Sequence, residues 1–300
     1  MSITKPDPLA YKPPPGIPAA ALIHERDMLK ADPIGIIKGG YLRIKTKDME
    51  LVPFMPNSSQ MKILDKIQEA RKAHKAIRIV VLKARQMGVS TLSEAILYAF
   101  ASMRPNINSF VMADDEDGAR YLFSMIETFW EEMDRLHRHL TPRRKNSSEK
   151  RIIFAFKRSG VYVETANNRR AGRKYTLQFA HLSEVAYYPR LLETMRGLMQ
   201  SVPDRPETLV ILETTANGTN EFCKFWRRIK RESQEGTTQW IPIFLSWKDH
   251  EEYKRPFSSE YQKSMFESSL TGKEVEIRKE HGLSLEQLHW RRWKISNDFA

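Results

Sequence analysis

Hydrophobic spacing along the 300 residues switches repeatedly between the helical and the strand period. Ile63, Ile67 and Ala70 fall on one face of a helix that starts near Met61, and residues 77–82 form a β-branched run of the kind that fills a buried parallel strand. A glycine-containing turn follows. Residues 92–101 then resume helical spacing without Gly or Pro, 108–113 read as the next strand, and a helix from Glu116 through Phe123, Ile126 and Trp130 runs to about Leu136. This β-α-β-α order predicts a parallel sheet with helices on its faces. Residues 151–156 and 160–164, separated by Lys157-Arg158-Ser159, predict a hairpin, and 177–182 and 209–214 two more buried strands. The sheet is therefore expected to be mixed and mainly parallel. Beyond Asn220 the pattern gives a helix, a strand at 240–245 and helical segments at 260–267, 273–281 and 285–293.

Three regions follow from this pattern: a leading segment at 1–50, a core at 51–219 and a smaller subdomain at 220–300, with the boundary near residues 218–222. The first twenty residues are rich in Pro and lack periodic apolar positions, as in an extended arm. No internal repeat is evident.

Charge narrows the partners. The 49 Lys and Arg outnumber the 37 Asp and Glu, a net charge of +12 that favours polyanions. The longest apolar stretches, 79–82 and 95–101, fall far short of the ~20 residues that span a bilayer. Lys5, Asp7 and Pro13-Pro14-Pro15 stand where a signal peptide would need an apolar run, so an intracellular protein without a membrane partner is expected. A single cysteine, Cys223, excludes an internal disulfide and a cysteine-rich zinc site.

The candidate chemistry begins where the 77–82 strand ends. Lys83-Ala84-Arg85-Gln86-Met87-Gly88-Val89-Ser90-Thr91 lies between a strand and a helix, the setting of a phosphate-binding loop. Such a loop presents backbone N–H groups and a helix N-terminus to polyphosphate, needs Gly where the backbone approaches closely, and uses a Ser or Thr hydroxyl on Mg²⁺. Gly88, Ser90 and Thr91 occupy those places. Val89 stands where the signature lysine belongs, and Lys83 or Arg85 could supply the missing cation. The same residues also fit an ordinary strand-turn-helix capped by Ser90.

A second strand-end element is Ser183-Glu184, in the position where an ATPase strand carries an Asp-Glu pair. Glu184 keeps the carboxylate that activates water, whereas metal contact through Ser183 would use a hydroxyl or a water. A third, Glu213-Thr214-Thr215-Ala216-Asn217-Gly218, puts hydroxyl and amide groups after the next strand, where they could sense a γ-phosphate. Taken alone, Glu184 could be a solvated strand end and Asn217-Gly218 a turn.

Together these segments resemble the ATPase domain of the large terminase subunits of tailed bacteriophages, the motors that package double-stranded DNA into procapsids. The resemblance covers roughly residues 54–300. It rests on a deviant loop Lys-x-Arg-x-x-Gly-x-Ser, matched by Lys83, Arg85, Gly88 and Ser90, on Ser183-Glu184 as a variant Walker B element, and on residues 214–218 as the coupling motif. It implies an α/β P-loop NTPase core of the ASCE type with a small C-terminal lid subdomain. ATP and Mg²⁺ are the implied cofactors, with Lys83, Arg85, Gln86, Gly88, Val89, Ser90 and Thr91 around the nucleotide, Ser90 and Ser183 toward the metal, Glu184 as base, and Thr214, Thr215 and Asn217 in coupling.

The resemblance further implies an adenine contact from Gln60, in Pro56-Asn57-Ser58-Ser59-Gln60, although Gln60 could equally start a helix. It implies a trans-acting arginine from a neighbouring subunit among Arg169, Arg170 and Arg173, with Arg173 the choice and a solvated basic loop the alternative. Its partners would be duplex DNA, a small terminase subunit and copies of the chain in a ring on the portal, a pentamer by family resemblance, in the host cell cytoplasm. The carboxylate cluster of the family's nuclease domain does not occur before Ala300 and is expected to lie outside this chain. A helicase-like DNA-dependent ATPase and a non-catalytic DNA-binding module with a decayed loop are the competing readings.

Other groups attract simpler explanations. Asp114-Asp115-Glu116-Asp117 fits a helix cap, His137-Arg138-His139 through Arg143-Arg144-Lys145 a solvated basic helix end, and His181 a hydrogen-bonded core histidine. Trp240, Trp247, Trp290 and Trp293 fit the core of the C-terminal subdomain.

Overall fold

Among residues 17–148, 150–168 and 171–298, which the computed structural model describes, helices and strands alternate much as the periodicity requires. The elements are α1 (Ala19–Ala31), α2 (Ile34–Lys38), β1 (Arg43–Lys45), β2 (Leu51–Pro53), α3 (Ser58–Lys72), β3 (Ile77–Lys83), α4 (Val89–Met103), β4 (Asn108–Ala113) and α5 (Glu116–Leu136). There follow β5 (Arg144–Ser148), β6 (Arg151–Phe154), β7 (Ser159–Thr165), β8 (Phe179–Ser183), α6 (Leu191–Met199), β9 (Leu209–Thr214), α7 (Glu221–Gln234), β10 (Trp240–Leu245), α8 (Glu260–Ser268), α9 (Gly272–His281) and α10 (Leu285–Asp298).

An eight-stranded sheet in the order β10-β3-β9-β8-β4-β7-β6-β5 organises the larger unit. Strands β3, β9, β8, β4 and β7 run parallel, and β6 and β5 pair antiparallel beyond them. The decisive feature is β9. It comes last in the chain among the five parallel strands, yet it lies between β3 and β8. This insertion is the ASCE arrangement that the resemblance implies.

Period-two alternation divides the strands between two cores. Val80, Phe110, Met112, Ala180, Leu182, Val210 and Leu212 pack against Leu191, Met195 and Leu198 of α6 and Phe222, Phe225 and Ile229 of α7. The intervening positions face α4, whose residues 92–103 are all buried and which is covered in turn by α2 and α5. A helix whose every face is mostly apolar, with only Ser93, Glu94 and Ser102 polar among those residues, belongs inside a protein. On α5 the buried stripe is Leu122, Phe123, Ile126, Phe129 and Met133, and Asp115 caps the helix by accepting from the Gly118 N–H at 2.7 Å, the role expected of that acidic run.

Several expectations are corrected. Arg144 and Lys145 begin the edge strand β5 rather than end a helix, because β6 offers its backbone for pairing and the Arg144 guanidinium sits 3.8 Å from the Trp130 ring centroid. The boundary near 218–222 falls inside the larger unit: Phe222, Phe225 and Ile229, one face of α7, join its core, and the chain divides at Phe244 and Leu245. Trp240 therefore packs in the larger unit, edge-on to Phe225 at 5.8 Å.

The smaller unit, residues 245–298, is helical. Trp290 stacks on Trp247 and Tyr253, and His289 stacks on Phe257. Trp293 is 37% exposed beneath the Arg255 guanidinium rather than part of that core. Arg292 donates to both oxygens of Glu274, tying α10 to α9. Among the described residues no helix is long and apolar enough to cross a membrane.

Candidate nucleotide site

The turn after β3 is shaped by two left-handed residues, Gln86 at φ 57° and Gly88 at φ 70°. Successive N–H groups in such a turn form a concavity that binds anions. Gly88 gives α4 no capping side chain, so the first-turn N–H groups, those of Val89, Ser90 and Thr91 among them, are left to an external acceptor. The loop is braced from behind. Asn57 and Gln60 form a capping box at the start of α3, and the Gln60 Nε2 donates to the Gly88 carbonyl at 2.7 Å. Both ends of the Gln60 carboxamide are thus engaged, and the side chain is 3% exposed. The structure thus gives Gln60 a helix-start role that also braces the loop.

Val89, in the signature-lysine position, is buried in the core, so its place can present no cation to the loop. Arg85 and Gln86 are exposed at the loop, and Thr91 is half-buried on the first turn of α4. Lys83, at the end of β3, lies between two carboxylates: its Nζ is 3.0 Å from Glu184 Oε1 and 3.0 Å from Glu213 Oε2. Burial lowers the Lys83 pKa, but those two charges outweigh it and the net direction is up. A cation is therefore held at the mouth of the loop.

Glu184 follows β8 in a left-handed conformation, φ 52° and ψ 45°, and is partly exposed. Its Oε2 accepts from the Thr214 hydroxyl at 3.2 Å and from the Thr215 N–H at 3.1 Å. Two residues on, the Ala186 N–H donates to Thr214 Oγ1, and its carbonyl accepts from Asn217 and from Asn220, the residue that caps α7. The expected base and the expected coupling segment are thus in direct contact.

A buried charge network lies behind them. Glu213 is 0% exposed, and its Oε1 accepts from the Ser90 hydroxyl at 2.8 Å and the Ser183 hydroxyl at 2.7 Å. His181 stands 3.5 Å from the same oxygen, an ion-pair rather than a hydrogen-bond distance, and 2.7 Å from Glu94 Oε1 on α4. Burial would raise the Glu213 carboxyl, yet His181, Lys83 and Ser183 together bring it down to about 2. Burial would likewise lower His181, which Glu213 and Glu94 instead lift to about 9. Burial pushes Glu94 up, only partly offset by His181.

Arg173 is elsewhere. It is exposed in the connection between β7 and β8, and its guanidinium lies against Gly197 of α6. Arg169 and Arg170 lie outside the described residues. Among the described residues no group of three His, Cys, Asp or Glu could by itself hold a metal ion. Mg²⁺ takes much of its shell from water and phosphate, however, so a hydroxyl held against a carboxylate is a fitting donor set.

No family model matches the sequence, and no curated protein matches it. Solved structures do match in fold. The large terminase of bacteriophage HK97 superposes with a TM-score of 0.55 at 13% identity, over 77% of this chain and 45% of that one. The chain has the fold of a large-terminase ATPase domain. It spans less than half the length of the HK97 protein. The ATPase domain of the Thermus phage P74-26 large terminase matches 76% of this chain and 97% of that one, at 17% identity and a TM-score of 0.47. The large terminase of another thermophilic bacteriophage, in complex with ATP-γ-S, matches 72% of this chain and 49% of that one, at 12% identity and a TM-score of 0.44.

Within this terminase fold, the sequence reading missed Glu94 as a partner of His181, and it quoted Glu213 without giving it a role. The available signal was an acid at or just past the end of each apolar run, Glu184 after 179–183 and Glu213 next to last in 209–214.

Proposed function

We propose that this chain is the ATP-hydrolysing motor portion of a terminase large subunit, which drives double-stranded DNA into procapsids. The observation that carries the reading is Lys83, held beside the left-handed turn of the loop and within 3.0 Å of Glu184 across the inserted strand β9. The HK97 likeness in fold supports it, and the +12 charge suits a DNA partner.

In this reading the N–H groups of residues 86–91 and the Lys83 ammonium cradle the phosphates of ATP. Mg²⁺, held by the Ser90 hydroxyl with Ser183 close by, would neutralise charge on the transferring phosphoryl group. Glu184 takes the proton of the attacking water as the water oxygen bonds to the γ-phosphorus and ADP leaves. Because Thr214 and Thr215 bond the same carboxylate, a change at Glu184 reaches Ala186, Asn217 and Asn220, and through Asn220 the start of α7. Arg173 supplies the trans arginine to a neighbour in a homo-oligomeric ring on the portal, working with a small terminase subunit in the host cytoplasm.

A phosphate-release assay with Mg-ATP, with and without duplex DNA, tests the reading. The parent chain should turn over ATP, Lys83→Ala should lose nucleotide binding, and Glu184→Gln should bind Mg-ATP without hydrolysing it. No turnover by the parent under either condition, or near-normal turnover by Glu184→Gln, would refute it.

A further inference from the structure

We propose that Glu213 does from β9 what a carboxylate at position 183 would do from β8: it orients the Ser90 and Ser183 hydroxyls so that their oxygens face a divalent cation. The inference rests on the ATPase reading above and names the residue that readies its metal site.

Register comes first. Ser183 and Glu213 are paired across β8 and β9, and Val81 pairs with Glu213 across β3 and β9. In-register neighbours of a parallel sheet point to the same face, so a carboxylate on either of the two strands reaches the same space. Ser183 supplies no charge there, and Glu213 does.

Hydroxyl chemistry comes second. A serine has one proton to donate and two lone pairs to offer. Both Ser90 and Ser183 donate that proton to one atom, Glu213 Oε1, at 2.8 and 2.7 Å. Their oxygens are left with lone pairs only, which suits a hard cation and not an anion. Glu213 is 0% exposed and does not itself need to touch the metal. It is a positioning residue that acts through Ser90.

Charge completes the case. A fully buried carboxylate is costly unless paired, and a neutral side chain would fill the same space. Glu213 is instead flanked by Lys83 at 3.0 Å and His181 at 3.5 Å, with Glu94 2.7 Å behind the imidazole. That arrangement sets two basic side chains against the acceptor behind the two hydroxyls, while Lys83 is shared with Glu184 at the loop.

The test is the Mg²⁺ concentration at which a fluorescent ADP analogue binds half-maximally to the full chain. Loss of a residue that orients a metal ligand typically weakens metal binding about 10–100-fold, so Glu213→Gln should raise the midpoint by that factor. Ser183→Asp/Glu213→Gln returns a carboxylate to the same level from β8 and should restore it. Should Glu213→Gln fail to fold, Glu213→Asp keeps the negative charge opposite Lys83 and His181, but its carboxylate is one methylene shorter, and it should raise the midpoint as well. A parental midpoint in the folded single variant, or no recovery in a folded double variant, overturns the inference and leaves the ATPase reading standing. No binding of the analogue by the parent chain at any Mg²⁺ concentration overturns the ATPase reading, and this inference with it.

Discussion

Replacing Gly88 by alanine should damage the loop through two separable effects. Gly88 sits at φ +70°, where an L-residue pays about 1–2 kcal/mol. A Cβ built there would also lie 2.5 Å from Gln60 Nε2, the atom that donates to the Gly88 carbonyl. The buried carboxamide must then swing away, giving up its bonds to Gly88 O and from the Asn57 N–H, each worth about 0.5–1.5 kcal/mol. Gly88→Ala should therefore destabilise the larger unit by about 2–5 kcal/mol, read as a lower midpoint at unchanged slope in urea unfolding. Gln60→Ala alone should cost about 1–3 kcal/mol, and in the Gly88→Ala background almost nothing more, because those bonds are already broken. Strictly additive costs, or a Gly88→Ala chain within about 0.5 kcal/mol of the parent, would refute the bracing of the loop by α3.

Two further outcomes are expected. The Arg292 hydrogen bonds lower Glu274 to about 2, with the Thr271 cap adding to them against burial. Since this folded value lies below the ordinary 4.5, the pair contributes stability above about pH 4.5 that is lost as pH falls toward 2. Acid titration followed by tryptophan fluorescence should show this loss, and Glu274→Gln should flatten it; an unchanged acid profile in that variant would discount the α9–α10 tie. Mixing Arg173→Ala chains with Glu184→Gln chains tests the trans arginine, since each is inactive alone but an Arg173→Ala site beside a Glu184→Gln neighbour regains both base and arginine, a contribution typically worth ~10³–10⁵ in rate. Co-assembly without recovered turnover would remove Arg173 from that role.

The parts of the site that are legible in the sequence are those encoded by neighbours along the chain. Ile77 to Leu82 must be a buried strand, so Lys83 must end it, and the same reasoning sets Glu184 and Thr214 at the ends of β8 and β9. Gln60 carried its signal too: Asn57 followed three residues later by Gln60 at a helix start is a capping-box pattern. The boundary near 218–222 was misplaced. Asn217-Gly218 is a real turn, but what decides membership of a unit is where Phe222, Phe225 and Ile229 bury their side chains, and that depends on α6 and the sheet.

Glu213 belongs to a class that local reading cannot reach. Its importance comes from strand order, since β9 lies between β3 and β8 although both precede it in the chain. Two strand spacings separate β3 from β8, roughly 10 Å. Lys83 and Glu184 meet across that gap only by leaning over the end of β9. The residues that stand there divide the two between them. Glu213 meets Lys83, while Thr214 and Thr215 meet Glu184. An acid on β9 can therefore serve the hydroxyls of α4 and β8 as readily as one on β8, and a phosphate-loop site with serine before its glutamate need not lack a second carboxylate. The second carboxylate is to be sought at the paired position of the inserted strand.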